Sequence, residues 1–121
     1  MTDRVLIADD EPNIVVSLSF MLKREGYEVL VAPDGTQALA MIRGERPRLV
    51  LLDAAMPGLS GFEVCEAVRA DPDLSGIRIL MLTAKGRDTD IARGMGAGAD
   101  AYVTKPFSTR ELIVRIREML A

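Results

Sequence analysis

The chain has 121 residues, 13.2 kDa, a net charge of −3 and a pI near 5.0. That length holds one compact domain spanning residues 1–121 and leaves no room for a second catalytic or DNA-binding unit. The acidic balance excludes a global basic field for nucleic acid, and area scaling predicts a folded surface of ~6,400 Å² against ~19,000 Å² unfolded.

Hydrophobic residues make up 49% and charged residues 27%, an ordinary composition for a folded soluble domain. The apolar runs are short and Met-Thr-Asp-Arg has no signal-peptide layout, so the expected location is the cytoplasm, without membrane contact. Cys65 is alone, which excludes an internal disulfide. With no histidine, imidazole acid–base chemistry is absent and chemistry falls to carboxylates, hydroxyls and lysine.

In chain order, short apolar runs bounded by turn residues predict five strands at Arg4 to Ala8, Tyr27 to Ala32, Arg48 to Leu52, Ile77 to Thr83 and Asp100 to Thr104. All five read as strands buried on both faces. Between them lie helix-period stretches. The first starts at Pro12, carries Ile14, Leu18, Met21 and Leu22 on one stripe, and stops at Gly26. The last opens with the capping-box pattern Ser108 to Glu111 and repeats apolar residues at Leu112, Ile113, Ile116 and Leu120. Strands alternating with helices predict an α/β three-layer sandwich, a parallel sheet covered on both faces.

Ligands of such sheets bind beyond the carboxyl ends of the strands, where the strand order reverses. Asp9 and Asp10 follow the first strand, Asp53 ends the third, Thr83 ends the fourth and Lys105 follows the fifth. In the flavodoxin-like order 2-1-3-4-5 all five share one edge, with three carboxylates at the switch point. Singly, each residue has a plain structural explanation: the first acids as helix caps, Asp53 as a turn residue, Thr83 as a strand end, Lys105 as a solvated lysine. Converging acids repel by a few kcal/mol per pair, so the edge calls for a cation, and oxygen ligands with open positions suit Mg2+. A carboxylate beside such a cation and an ammonium is suited to phosphoryl transfer onto Asp53.

Four segments, Val5 to Pro12, Leu51 to Gly58, Thr83-Ala84 and Gly98 to Phe107, resemble in order and spacing the receiver domains of bacterial two-component response regulators. The resemblance implies that Asp53 accepts a phosphoryl group from a sensor histidine kinase or phosphotransfer protein. It implies Mg2+ held by Asp10, Asp53 and the backbone carbonyl of Ala55, with Asp9 acting through water. Thr83 and Lys105 would bind phosphoryl oxygens, Tyr102 would act as a rotamer switch though half-buried, and Lys105-Pro106 would be cis. Ala55 and Lys85 would tune dephosphorylation. The domain would catalyse only its own phosphorylation and slow self-dephosphorylation. Its signal would leave through the fourth helix, fifth strand and fifth helix, toward a protein partner or a second copy.

Other readings fit less well. A flavodoxin-like carrier would not place Asp9, Asp10 and Glu11 around an FMN phosphate. An aspartate-nucleophile phosphatase would carry its nucleophile after the first strand, with a substrate cap. A degenerate receiver that only binds proteins would lack one of the acids, the threonine or the lysine, and all are present. Cys65 reads as packing, and Gly94, Gly96 and Gly98 as loop glycines or sources of mobility. In subfamilies with winged-helix outputs a charged dimer face carries a second acid after Asp100; Ala101 stands there, while Glu111 and Arg115 fit that face.

Overall fold

A computed structural model describes residues 3–84 and 88–121. The elements are β1 (Arg4–Ala8), α1 (Pro12–Arg24), β2 (Glu28–Ala32), α2 (Gly35–Glu45), β3 (Leu49–Asp53), α3 (Gly61–Arg69), β4 (Arg78–Ala84), α4 (Asp88–Gly96), β5 (Ala101–Lys105) and α5 (Thr109–Leu120), with a 3-10 turn at Pro72–Leu74. The strands are parallel in the order β2-β1-β3-β4-β5. The folded surface is 6432 Å², in line with area scaling for a chain of this mass.

Alternation in the three central strands sorts the core into two layers. Val5, Ile7, Leu49, Leu51, Leu80 and Leu82 face one side and pack with Leu18, Met21 and Leu22 of α1 and Leu112 and Ile116 of α5. Leu6, Ala8, Val50, Leu52, Ile79 and Met81 face the other, against Ala38, Leu39 and Ile42 of α2 and Phe62, Val64, Cys65 and Val68 of α3. Period-two side chains on both faces of a covered sheet produce near-continuous apolar strands. At the edges the expectation of burial on both faces needs correction. Only Ala32 of β2 and Ala101 of β5 are buried, because an edge strand has one strand neighbour and less helix above and below it.

The helix ends follow local chemistry. Asp34 caps α2 by accepting from the Gln37 N–H at 2.8 Å. At α5 the Ser108 hydroxyl accepts from the Glu111 N–H at 3.3 Å. A complete capping box forms at α3, where Ser60 accepts from the Glu63 N–H and Glu63 accepts in return from the Ser60 N–H. Among the described residues no helix is long and apolar enough to cross a membrane.

Candidate functional site

The register brings the polar residues to one edge. Asp9 follows the last residue of β1, Asp53 is the last residue of β3, Thr83 the penultimate residue of β4, and Lys105 the last of β5. Parallel pairing sets Asp53 beside Leu82 and Ala84 beside Lys105, so the strand ends finish together. Gly61 fixes the floor. Its N–H donates to the Ala54 carbonyl at 3.0 Å, and a Cβ there would lie 2.2 Å from the Asp53 carbonyl oxygen. Only glycine lets α3 start this close to β3.

Asp9, Asp10 and Asp53 each offer a carboxylate oxygen within 4.8 Å of the others, Asp9 and Asp53 buried and Asp10 exposed. Lys105 Nζ lies 2.9 Å from Asp9 Oδ2, 3.2 Å from Glu11 Oε1 and 3.4 Å from Asp53 Oδ2. The Lys105 ammonium is thus the close cationic neighbour of the buried Asp9 Oδ2, though its approach is poorly aligned for a hydrogen bond. Among the described residues, Thr83 Oγ1 is buried without a hydrogen-bond partner. Buried polar atoms left open are costly, which makes this edge a candidate binding site.

Burial is the main cause that pushes the Asp53 carboxyl up from 3.8 to about 6; the Asp9 charge adds to it, and Lys105 and the Ala55 N–H oppose it. Burial works against the Lys105 ammonium too, but contact with Asp9 and the Asp53 charge prevail and hold it above its ordinary value. The Ala55 N–H donates to Asp53 Oδ1 at 3.3 Å. These groups surround a cleft of about 300 Å³ lined by Asp10, Glu11, Asp53, Ala55 and Lys105. A larger groove, about 480 Å³, lies between α1 and α5, lined by the apolar Val16, Phe20, Met21 and Ile113 together with Ser17, Arg24, Glu25 and Thr109, away from the strand-end carboxylates.

Other expectations are refined. The acids do not cap α1 by side chain: its N-cap residue Glu11 makes no such bond, and Asp9 Oδ1 instead accepts the Glu11 N–H at 2.9 Å. Tyr102 is exposed rather than half-buried, at 41%, because β5 is an edge strand with one strand neighbour. The Lys105-Pro106 peptide bond is cis. Lys85 lies outside the described residues. Cys65 is buried and its thiol is pushed up to about 11, chiefly by burial, so it packs rather than reacts.

Sequence reading missed the group that joins α3 to the β4 and β5 edge. Arg69 donates to the Gly98 carbonyl at 2.8 Å, the Ile77 carbonyl at 2.8 Å and Asp100 Oδ2 at 2.7 Å, while the Ile79 N–H donates to the same Asp100 oxygen. No local pattern announces a partner 29 or 31 positions away.

A strand-end carboxylate cluster with a lysine, on a sheet of this order, matches known proteins throughout. Residues 5–117 match the family model of the response regulator receiver domain, and the chain belongs to that family. It is 46% identical over 120 residues to the DNA-binding response regulator MtrA of Mycolicibacterium smegmatis, covering 99% of this chain and 51% of that protein. The chain thus spans about half the length of the curated relatives it matches. A response regulator from Chloroflexus aurantiacus, described as putative, superposes with a TM-score of 0.95 at 36% identity, covering 99% of this chain and 98% of that one. The receiver domain of a sensor histidine kinase from Pseudomonas aeruginosa, solved with a magnesium ion coordinated in its active site cleft, gives a TM-score of 0.91 at 28% identity, covering 99% and 98%. The fold is that of CheY-like receivers, and the family serves two-component signalling.

Proposed function

We propose that this chain is a phosphoacceptor module in which Asp53 takes a phosphoryl group from a phosphohistidine of a sensor histidine kinase or phosphotransfer protein. The observation that carries the reading is the convergence of Asp9, Asp10 and Asp53 with Lys105, beside a buried Thr83 hydroxyl that has no hydrogen-bond partner among the described residues. An all-oxygen donor set with an open buried carboxylate oxygen fits a hard divalent cation. Asp10, Asp53 and the Ala55 carbonyl would hold Mg2+, with Asp9 through water, and the ion would supply neutralising charge for the transferring phosphoryl oxygens.

The chain's own groups do the rest. An Asp53 carboxylate oxygen forms a bond to phosphorus as the P–N bond to imidazole breaks, and the imidazole nitrogen leaves with that electron pair. Its burial beside Asp9 keeps Asp53 poorly solvated, so less water must be stripped before attack. Lys105, drawn toward Asp9 and Asp53, presents its ammonium where phosphoryl charge develops. The Thr83 hydroxyl, without a hydrogen-bond partner among the described residues, can donate to a phosphoryl oxygen. No substrate other than the module itself is transformed.

Loss of the phosphoryl group needs an in-line water. Ala55 lies exposed at the cleft and its methyl cannot orient one, so self-dephosphorylation is slow; Lys85 is the second tuning position. Turning of Thr83 toward the phosphoryl group would let Tyr102 move inward and shift the face of α4, β5 and α5, where Glu111 and Arg115 stand and a downstream protein or a second copy docks. Residues 1–121 form one receiver domain acting in the cytoplasm, with no direct nucleic-acid binding of its own.

Incubation with a small-molecule phosphodonor and Mg2+ should add one base-labile phosphoryl group. The adduct should be absent with EDTA and in Asp53→Asn, and strongly reduced in Asp10→Asn. Unchanged labelling of Asp53→Asn would overturn the assignment.

A further inference from the structure

Glu11 lines the cleft, as Asp90 does, and contacts Lys105, yet the reading above gives it no task. Pro12 follows it at the first helical position, which restricts Glu11 to extended backbone, and it sits at φ −88° and ψ 111°. It is the N-cap residue of α1 yet makes no side-chain cap bond, and its N–H is taken by Asp9 Oδ1. Helix capping therefore does not explain where its side chain goes. It also stands outside the group Asp9, Asp10 and Asp53 that could share an ion. Instead its Oε1 accepts from Lys105 Nζ at 3.2 Å while its side chain stays 58% exposed at the cleft mouth.

Lys105 thus has two kinds of partner. Asp9 and Asp53 are buried and hold the ammonium in place, with side-chain exposures of 0% and 9%. Glu11 is solvated and occupies a donor direction that an incoming phosphoryl oxygen would use. Resting on the phosphoacceptor reading, we propose that Glu11 is a positioning residue that competes with the phosphodonor for Lys105. By adding a negative charge at the mouth, it selects against small dianionic donors relative to monoanionic ones. Because the pair is exposed, the effect is modest and screened by salt.

The test is Mg2+-dependent labelling of the full chain at neutral pH by acetyl phosphate, a dianion, and by phosphoramidate, chiefly a monoanion. Glu11→Gln keeps the side-chain size and an acceptor oxygen but removes the charge. Its rate constant with acetyl phosphate should rise about two- to fivefold, the span expected for an exposed ion pair, and less with phosphoramidate. The gap should close as salt is raised. Glu11→Asp, which retains the charge, should keep a donor ratio near that of the wild type, and Mg2+ affinity by calorimetry should hardly change in Glu11→Gln. An equal rise with both donors, or no rise with acetyl phosphate, would overturn the proposal while leaving Asp53 as acceptor. Absence of any labelling in the wild type would overturn both.

Discussion

Helices α3 and α4 are each nine residues long, lie next to one another, and begin after the strands that deliver Asp53 and Thr83, yet they are held very differently. α3 has a complete capping box and buries Gly61, Phe62, Val64, Cys65 and Val68, and Arg69 ties its last turn to two carbonyls and Asp100. α4 buries only Gly94, leaves Met95 42% exposed, and leans on α3 partly through Arg93, whose guanidinium sits 4.3 Å from the Phe62 ring centre. Apolar burial dominates the strength with which a helix is held on a sheet, so α3 is a fixed wall for the acceptor and α4 the element easiest to displace. The acceptor residue abuts the start of the rigid helix, and the threonine lies on the strand that precedes the loose one.

Large-to-small substitution should expose this difference most strongly. Phe62→Ala should lose about 3 to 5 kcal/mol of unfolding free energy, since it empties a buried aromatic site. Met95→Ala, a truncation at an exposed position, should stay within about 0.5 kcal/mol of the wild type. Comparable losses in urea melts would show α4 to be anchored as firmly as α3.

The next effect concerns the cost of the rigid wall. With its carboxyl raised from 3.8 to about 6, Asp53 binds more protons in the folded than in the unfolded chain across that window. Stability from this group is therefore full below about pH 4 and is lost as pH rises through about 6, the reverse of a salt-bridged carboxylate. Asp53→Asn should stabilise the metal-free domain at neutral pH, on the order of 2 kcal/mol, with no gain at pH 4. Added Mg2+ should raise the melting temperature of the wild type more than that of the variant. Equal stability of the two proteins at neutral pH would show that the carboxylate is better solvated than its burial implies.

How much of this asymmetry was legible beforehand varies by residue. The alternation of strands and helices and the covered parallel sheet follow from apolar periodicity, and once the flavodoxin-like order is assumed, Asp9, Asp10, Asp53, Thr83 and Lys105 fall on one edge. The Ser60 box was written in the sequence as Ser-Gly-Phe-Glu and simply resembles many loop segments until the helix is known. Gly61 could not be valued without the 2.2 Å approach that its missing Cβ permits, and the Arg69 bonds link positions far apart in the chain. Tyr102 was misplaced because a strand's edge position, rather than its composition, decides how much of it is covered. Distance-dependent features were hidden, while periodic ones were plain.

A smaller effect tests the capped end of α3. Ser60→Ala removes the acceptor for the Glu63 N–H at 3.2 Å and should cost about 1 kcal/mol, without moving the labelling rate more than the folded fraction requires.

The smallest expected effect tests α4 alone. A Cβ at Gly96 would meet nothing within 4 Å, and its backbone is not in the left-handed region, so alanine fits there. Gly94 differs, since its Cβ would stand 3.4 Å from Met81 Cγ and part of any gain would be spent on moving that side chain. Alanine exceeds glycine in mid-helix by about 0.8 to 1 kcal/mol, and at the last residue of α4 only part of this survives, about 0.5 kcal/mol. That amount is minor for the whole domain but large for a helix that opens locally at little cost. Gly96→Ala should therefore slow amide exchange in residues 88–96 while leaving residues 61–69 unchanged. If α4 carries the phosphorylation signal, a phosphoryl mimic should alter exchange in residues 88–105 of the wild type, and less in the alanine variant, because the helix then starts closer to a single position. Exchange changes confined to residues 54–76 would place the responsive element at α3 instead and reverse the roles given to the two helices.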